Sequence, residues 1–282
     1  MTRCTNNTPR PFVKCAGGKR QLIGELFPRV LASQYGGRYH EPFLGGAALF
    51  FELYRAGVLS RKKAYLSDNN PNLIMTYRGV QRDVEGIIAL LEKHKAAHGK
   101  EHYYAVRAEV PGDPVAAAAR IIYLNRTCFN GLYRENSKGE FNVPMGRYEK
   151  PLICDAANLR AVSAALASAK LEQRDFARVL ERAEPGDFVY FDPPYVPVSA
   201  TSSFTAYDKH GFGVEDQRRL AEVFRELDAR GVFVMLSNSM TPFVRELYQG
   251  FDIAEVYAAR AVNSKADRRG KIAEALVTNF AT

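Results

Sequence analysis

The residues with the clearest chemical capacity are Asp192, Pro193, Pro194 and Tyr195. A carboxylate, a fixed carbonyl and a flat ring can hold a planar amine: two acceptors meet two N–H groups, and one face stacks. Proline has no N–H to give a sheet, so the Pro193-Pro194 pair stops strand pairing and leaves rigid carbonyls without ladder partners. Before it, Glu184-Pro-Gly-Asp187 reads as a turn and Phe188 to Phe191 as a buried strand. Asp192 is therefore expected at the C-terminal end of a strand, the edge where open α/β sheets bind ligands. The plainer alternative is a strand and a proline turn in which Asp192 caps a neighbouring group.

The elements that must position this motif alternate in α/β fashion. Phe12 to Lys19 is a short apolar piece running into a glycine bend, with a helix from about Arg20; Lys14 and Lys19 add charge. Tyr39 to Phe51 reads as strand, glycine turn and helix, and Ala64 to Asp68 as a second strand, with Pro71 opening a helix. Glycines let a ligand sit on a helix N-terminus, and an acidic residue about 20 positions later can take ribose hydroxyls. Glu41 and Asp68 thus offer a nucleoside-like pocket, although Asp68 reads equally as a helix N-cap. The rhythm lapses from about Arg82 to Arg147. There, His94, His98 and His102 recur at spacings of four and are expected on a solvated face. Asn130-Gly131 favours a tight primed hairpin turn. Arg126, Phe129, Asn130, Arg134, Asn142 and Tyr148 interleave cations, amides and rings as a base-reading surface would, or as an ordinary polar hairpin would. The rhythm then resumes: a helix over Asp155 to Ser168, a strand ending at Asp175-Phe176, the Asp192 strand, and a Ser/Thr-rich loop over Val196 to Phe212. A helix over Glu215 to Arg230 and a strand over Val232 to Leu236 follow, with Ser237-Asn238 at its end. Strands over Glu255 to Ala261 and Glu274 to Phe280 flank a basic loop, Lys265 to Lys271.

The bulk numbers agree with an ordinary soluble globule. The chain has 282 residues, is 46% hydrophobic and 25% charged, and carries a net charge of +8. That charge favours nucleic acid as a partner. No apolar run approaches a membrane span and no signal peptide is expected. Four cysteines without C-x-x-C spacing disfavour zinc and a disulfide framework and fit a cytoplasmic location.

Together these segments resemble the Dam-type DNA adenine-N6 methyltransferases over nearly the whole chain. The resemblance rests on Lys14 to Lys19, Glu41-Pro-Phe-x-Gly-Gly46, Asp68-Asn69, Asn125 to Tyr148, Asp192 to Tyr195 with Phe204-Thr-x-Tyr207, and the late Arg269 and Glu274. It implies a seven-stranded Rossmann-like sheet binding S-adenosylmethionine without a metal. The catalytic domain would span 1–81 and 151–282, with a helical and hairpin DNA-recognition domain inserted over 82–150. It further implies that Asp192, Pro193 and Tyr195 are catalytic. Phe12, Cys15, Gly17, Lys19, Glu41, Phe43, Gly45, Asp68, Asn69, Asp175, Phe176 and Asp192 would hold the cofactor. Phe129-Asn130 would enter the duplex, Leu132 and Arg134 would read bases, and Pro144 would add a contact; double-stranded DNA, usually at GATC, is the expected partner of a monomer. Two departures stand out: Cys15 replaces the family's common Trp, and Ala47 a frequent Gly. The alternatives are methylation of the exocyclic amine of cytosine, methylation of RNA, and a DNA-binding relative with impaired catalysis.

Overall fold

The structure is a computed structural model that describes residues 8–15, 18–60, 62–136, 139–196, 212–259 and 271–281. The expected Gly17, Phe204-Thr-x-Tyr207 and Arg269 elements, and most of the loops around them, lie outside the described residues. Seven strands form one sheet in the order β3-β2-β1-β4-β5-β7-β6: β1 Tyr39–Glu41, β2 Ala64–Asp68, β3 Ala169–Gln173, β4 Phe188–Phe191, β5 Phe233–Ser239, β6 Asp252–Ala259 and β7 Lys271–Thr278. Strands β2, β1, β4 and β5 run parallel, whereas β7 runs antiparallel to both β5 and β6. Parallel neighbours bring the C-terminal ends of β1, β2 and β4 to one edge. β4 is buried throughout because Phe188, Val189, Tyr190 and Phe191 are all apolar or aromatic.

The chain packs as two compact units. The first comprises Met1–Gly18, Gly45–Ser60 and Asn70–Gln173; the second comprises Lys19–Leu44, Arg61–Asn69 and Arg174–Thr282. In the first unit the helices are α2 Ala48–Arg55, α3 Pro71–Arg82, α4 Val84–Ala96, α5 Lys100–Ala108, α6 Pro114–Thr127 and α7 Ala156–Leu166. Their starts are written in the sequence. Asn70, Asp83, Asp113 and Asp155 each accept a backbone N–H of the first turn, and proline fills the first position of α3 and α6. Asn70 thus supplies the cap of α3 for which Asp68 was the candidate; Asp68 closes β2.

The histidines differ from expectation. α4 ends at Ala96, the chain passes through Gly99 in extended conformation, and α5 begins anew. The three rings therefore converge on Tyr123 of α6 instead of lining a solvated face. His94 Nδ1 lies 3.0 Å from His102 Nε2, His98 Nδ1 lies 2.9 Å from the Tyr123 hydroxyl, and His94 stacks on the Tyr123 ring. Among the described residues no group of three or more His, Cys, Asp or Glu side chains is arranged to hold a metal ion.

The hairpin also differs in detail. Asn130 (φ 54°) and Gly131 (φ 64°) do form a left-handed turn closed by Leu132 N–H to Phe129 O. Its flanking segments do not pair with each other, however. The chain reverses later, at Asn136–Gly139, and pairs through isolated bridges Cys128–Met145 and Glu135–Phe141. The early turn is forced by packing: a Cβ on Gly131 would lie 2.3 Å from the Lys14 stem.

The second unit carries α1 Ile23–Ala32, α8 Val214–Ala229 and α9 Pro242–Leu247. Here β5 continues through Ser237 and Asn238, which were expected only to end it, and β7 begins at Lys271, which was expected in a loop. Where β4 begins, Asp187 is a buried hub at 4% side-chain exposure. It accepts the Arg38 amide (2.7 Å), Arg38 Nε (3.0 Å), His40 Nε2 (2.9 Å) and the Glu184 amide (3.0 Å). Gly37 leaves room for it; a Cβ there would meet Asp187 Oδ1 at 2.3 Å. Burial works against this carboxylate, but the donors win and hold it at about 2 against an ordinary 3.8. The sign follows: the folded value is depressed, so its stabilisation is full above the ordinary value and is lost as pH falls through about 2. Asp187→Asn is expected to cost about 2 kcal/mol of unfolding free energy at neutral pH and to flatten the acid limb of the stability curve. Urea titrations from neutral to acid pH check this, and equal stabilities at neutral pH would contradict it.

Candidate active site

Asp192 leaves β4 into the proline pair, as its sequence requires. Lys19 comes to it from the short 3-10 turn Lys19–Gln21. The Lys19 ammonium is 2.8 Å from Asp192 Oδ1, with side-chain exposures of 8% and 21%. Asp192 Oδ1 is buried, and the Lys19 ammonium is its charged partner. The same ammonium sits 4.4 Å from the centre of the Tyr195 ring. Burial raises the Asp192 carboxyl above the ordinary range; Lys19 opposes the rise and Glu274 adds to it.

The loop after Asp192 is tied at three places. The Pro194 carbonyl accepts from Gln217 Nε2 of α8 at 2.8 Å, and the Val196 amide donates to Asn238 Oδ1 of β5 at 3.1 Å. Asn238 Nδ2 in turn donates to Gln217 Oε1 at 2.9 Å, so the two amides form one buried clamp. The Tyr195 hydroxyl donates to Glu274 Oε2 of β7 at 2.6 Å. The clamp was not foreseen. Its sequence signals are a Gln on the apolar face of α8, in line with Leu220, Ala221 and Phe224, and an amide within a buried strand. Glu274 entered only through the resemblance.

A second group gathers in the same unit. Glu41 ends β1 in a buried position and accepts the Tyr39 hydroxyl at 2.8 Å; Asp68 ends β2 half-buried, with exposed Asn69 next to it. Phe43 stacks on Phe176 (centroids 5.3 Å, 23° between planes) and meets Phe191 and Phe212 edge-on. Asp175 does not end a strand. β3 stops at Gln173, and Asp175 caps the 3-10 turn Phe176–Glu181, accepting the Ala177 amide at 2.9 Å. Arg219 of α8 grips both Asp175 oxygens (2.7 and 3.2 Å) and covers the Phe176 ring at 4.4 Å.

The first unit holds the remaining candidates. Phe12 packs edge-on to Tyr77, whose hydroxyl donates to the Gly45 carbonyl at 3.1 Å. Half-buried Cys15 accepts the Gly18 amide at 3.2 Å. Ala47, in place of a frequent Gly, adopts left-handed φ 54°. Asn125 brackets the Lys14 backbone, accepting its N–H at 2.6 Å and donating to its carbonyl at 2.8 Å, and the Lys14 ammonium lies 4.3 Å from the Tyr148 ring centre. Phe129 presents 49% of its surface, and Asn130, Arg134, Pro144 and Tyr148 are exposed with it. Arg134 Nε donates to Asn142 Oδ1 at 2.7 Å, so these two act as a pair. Leu132 is half-buried, its carbonyl accepting from the Cys128 thiol. Arg126 is also half-buried; burial lowers its affinity for its proton, Asp155 supporting it and Arg10 opposing it.

Comparison with known proteins places the chain in a family. The sequence model for the family described as "D12 class N6 adenine-specific DNA methyltransferase" matches residues 16–262. The chain is 45% identical over 279 residues to the type II methyltransferase M1.LlaDCHI of Lactococcus lactis subsp. cremoris, covering 96% of this chain and 95% of that protein. It is 43% identical over 288 residues to the type II methyltransferase M.MjaIII of Methanocaldococcus jannaschii, covering 96% and 99%. It is 36% identical over 271 residues to the DNA adenine methylase of Escherichia coli K12, covering 95% and 94%. No described helix is long and apolar enough to cross a membrane. With a seven-stranded Rossmann-like sheet, an acidic-proline-proline-aromatic edge and a family match over most of its length, the chain belongs to the D12 class of N6 adenine-specific DNA methyltransferases.

Proposed function

We propose that this DNA methyltransferase moves a methyl group from S-adenosylmethionine to the exocyclic amine of an adenine flipped out of double-stranded DNA, with GATC as its site. The observation that carries this reading is Asp192 at the sheet's reactive edge, its Oδ1 buried and ion-paired with Lys19, beside the Tyr195 ring. The residues present fit the cofactor: Glu41 and Asp68 are strand-end carboxylates of the kind that take ribose hydroxyls, and Phe43 and Phe176 offer apolar ring surface for a planar base. Asp175 and Asn69 lie in the same unit, and the resemblance adds Phe12, Cys15, Gly17 and Gly45 to the proposed cofactor contacts. When bound, the cofactor supplies a methyl group on a positively charged sulfur.

The chain's own residues do the rest. Adenine's amine is a poor nucleophile because its lone pair is conjugated with the ring. Asp192 and the Pro193 carbonyl accept its two N–H groups and turn the lone pair outward. Fixed acceptors in a dry site supply this without reorganisation. Lys19 opposes the burial that favours the neutral form of Asp192. Extrusion of the base costs a few kcal/mol, which Tyr195 offsets by stacking and Phe129 by filling the gap. Residues 82–150 are the proposed recognition insertion, and the enzyme acts on DNA as a monomer. Leu132, Arg134 and Pro144 read bases, while Arg126, Asn130, Asn142 and Tyr148 support the contact.

Mapping methylated bases in DNA exposed to the purified protein and S-adenosylmethionine tests this. N6-methyladenine confined to GATC is the expected result. N4-methylcytosine would assign the related cytosine chemistry, and unmodified DNA would end the proposal. Arg134→Ala is expected to relax discrimination at one base pair by about 1–3 kcal/mol, read from rates on singly substituted sites. A uniform loss with unchanged preference would make Arg134 a phosphate contact.

A further inference from the structure

The reactive edge of the second unit contains a carboxylate that the reaction itself does not use. Glu274 stands on β7, its backbone fixed between Ser239 of β5 and Val256 of β6. Its side chain reaches the Tyr195 hydroxyl at 2.6 Å. We propose that Glu274 is a positioning residue for methyl transfer, setting the plane of the Tyr195 ring that receives the extruded base.

Tyr195 follows two prolines and has no strand partner to orient it. Its backbone is held on one side through the Pro194 carbonyl and on the other through the Val196 amide. These ties leave the ring two rotations of its own. The bond to Glu274 fixes the first, because Cβ and the hydroxyl oxygen lie on the ring's own axis, and it favours one setting of the second, because a phenol O–H prefers to lie in the ring plane. A charged acceptor makes a short phenol bond about twice as strong as a neutral one. Stacking depends on that plane, and small errors of placement at a reacting centre cost large factors in rate. The burden falls on Glu274 because the other partner of the ring, the Lys19 ammonium 4.4 Å from its centre, sets no direction within the plane.

The inference rests on Tyr195 stacking the target base, and the test separates the two. Single-turnover methylation and duplex affinity are measured for the wild type, Y195A, Y195F, E274L, E274Q and the Y195F/E274L double variant. A duplex carrying 2-aminopurine at the target reports extrusion independently of chemistry. E274L is expected to slow transfer by about tenfold, weaken the 2-aminopurine signal and leave duplex affinity within about threefold. E274Q, which keeps an oxygen acceptor, is expected to recover most of that loss. In the Y195F background, where the hydroxyl is already gone, E274L is expected to cost less than about twofold. An E274L loss of the same size in both backgrounds, or no loss in the wild type, overturns the inference. If E274L does not fold, Y195F decides: an unchanged rate overturns it, and a tenfold loss supports it. Full activity in Y195A would instead sink the stacking role of Tyr195.

Discussion

Asp192→Ala is expected to slow methyl transfer by at least about a thousandfold, on the order of 4 kcal/mol, while duplex affinity changes by less than about threefold. The size follows from what is removed. On the proposed mechanism the amine loses the acceptor that turns its lone pair outward, an oxygen that is itself buried, where such contacts are strong. The proposed base and phosphate contacts lie on other residues, so binding is expected to survive. Single-turnover rates with saturating cofactor, set beside titrations of labelled duplex, make the comparison. Activity within tenfold of wild type would remove Asp192 from the chemistry. Parallel losses of rate and duplex affinity would make it a binding residue.

Lys19→Met is expected to slow transfer by about a hundredfold at neutral pH and to recover part of that loss in alkali. Burial already raises the Asp192 carboxyl, and Lys19 is the neighbour that opposes the rise. Without the ammonium the carboxyl rises further, so a smaller fraction is charged at any given pH. The acid limb of the rate profile must then move to higher pH. Glu274 on β7 pushes in the same direction and is no longer balanced. Methionine keeps the apolar stem packed and removes only the charge. A loss of equal size at every pH would show that Lys19 serves by contact and not by charge, and a lost affinity for S-adenosylmethionine would return it to the cofactor set.

Much of this arrangement was legible because it is local. The run Phe188 to Phe191 bounded by a turn and two prolines places Asp192 at a strand end without tertiary information. Pro71 announces a helix start for the same reason. What stayed hidden depends on distant partners. Lys19 read as charge beside a glycine bend, and nothing in its neighbours points to Asp192. Gln217 and Asn238 are an amide on a helix and an amide on a strand, and only their meeting makes them a clamp. The histidines misled because a spacing of four implies one helix, whereas Gly99 divides them between α4 and α5 and Tyr123 gathers them. Asp175 misled because an acidic residue after a strand serves as readily to cap the next turn.

Strand β4 is bounded by aspartates whose environments oppose each other: Asp187 is held at about 2, and Asp192 is raised by burial. On acidification the second takes up its proton first, while the first still anchors the strand. A falling pH should therefore silence the enzyme before the Asp187 anchor is released, and neutralising the sample should revive it without refolding.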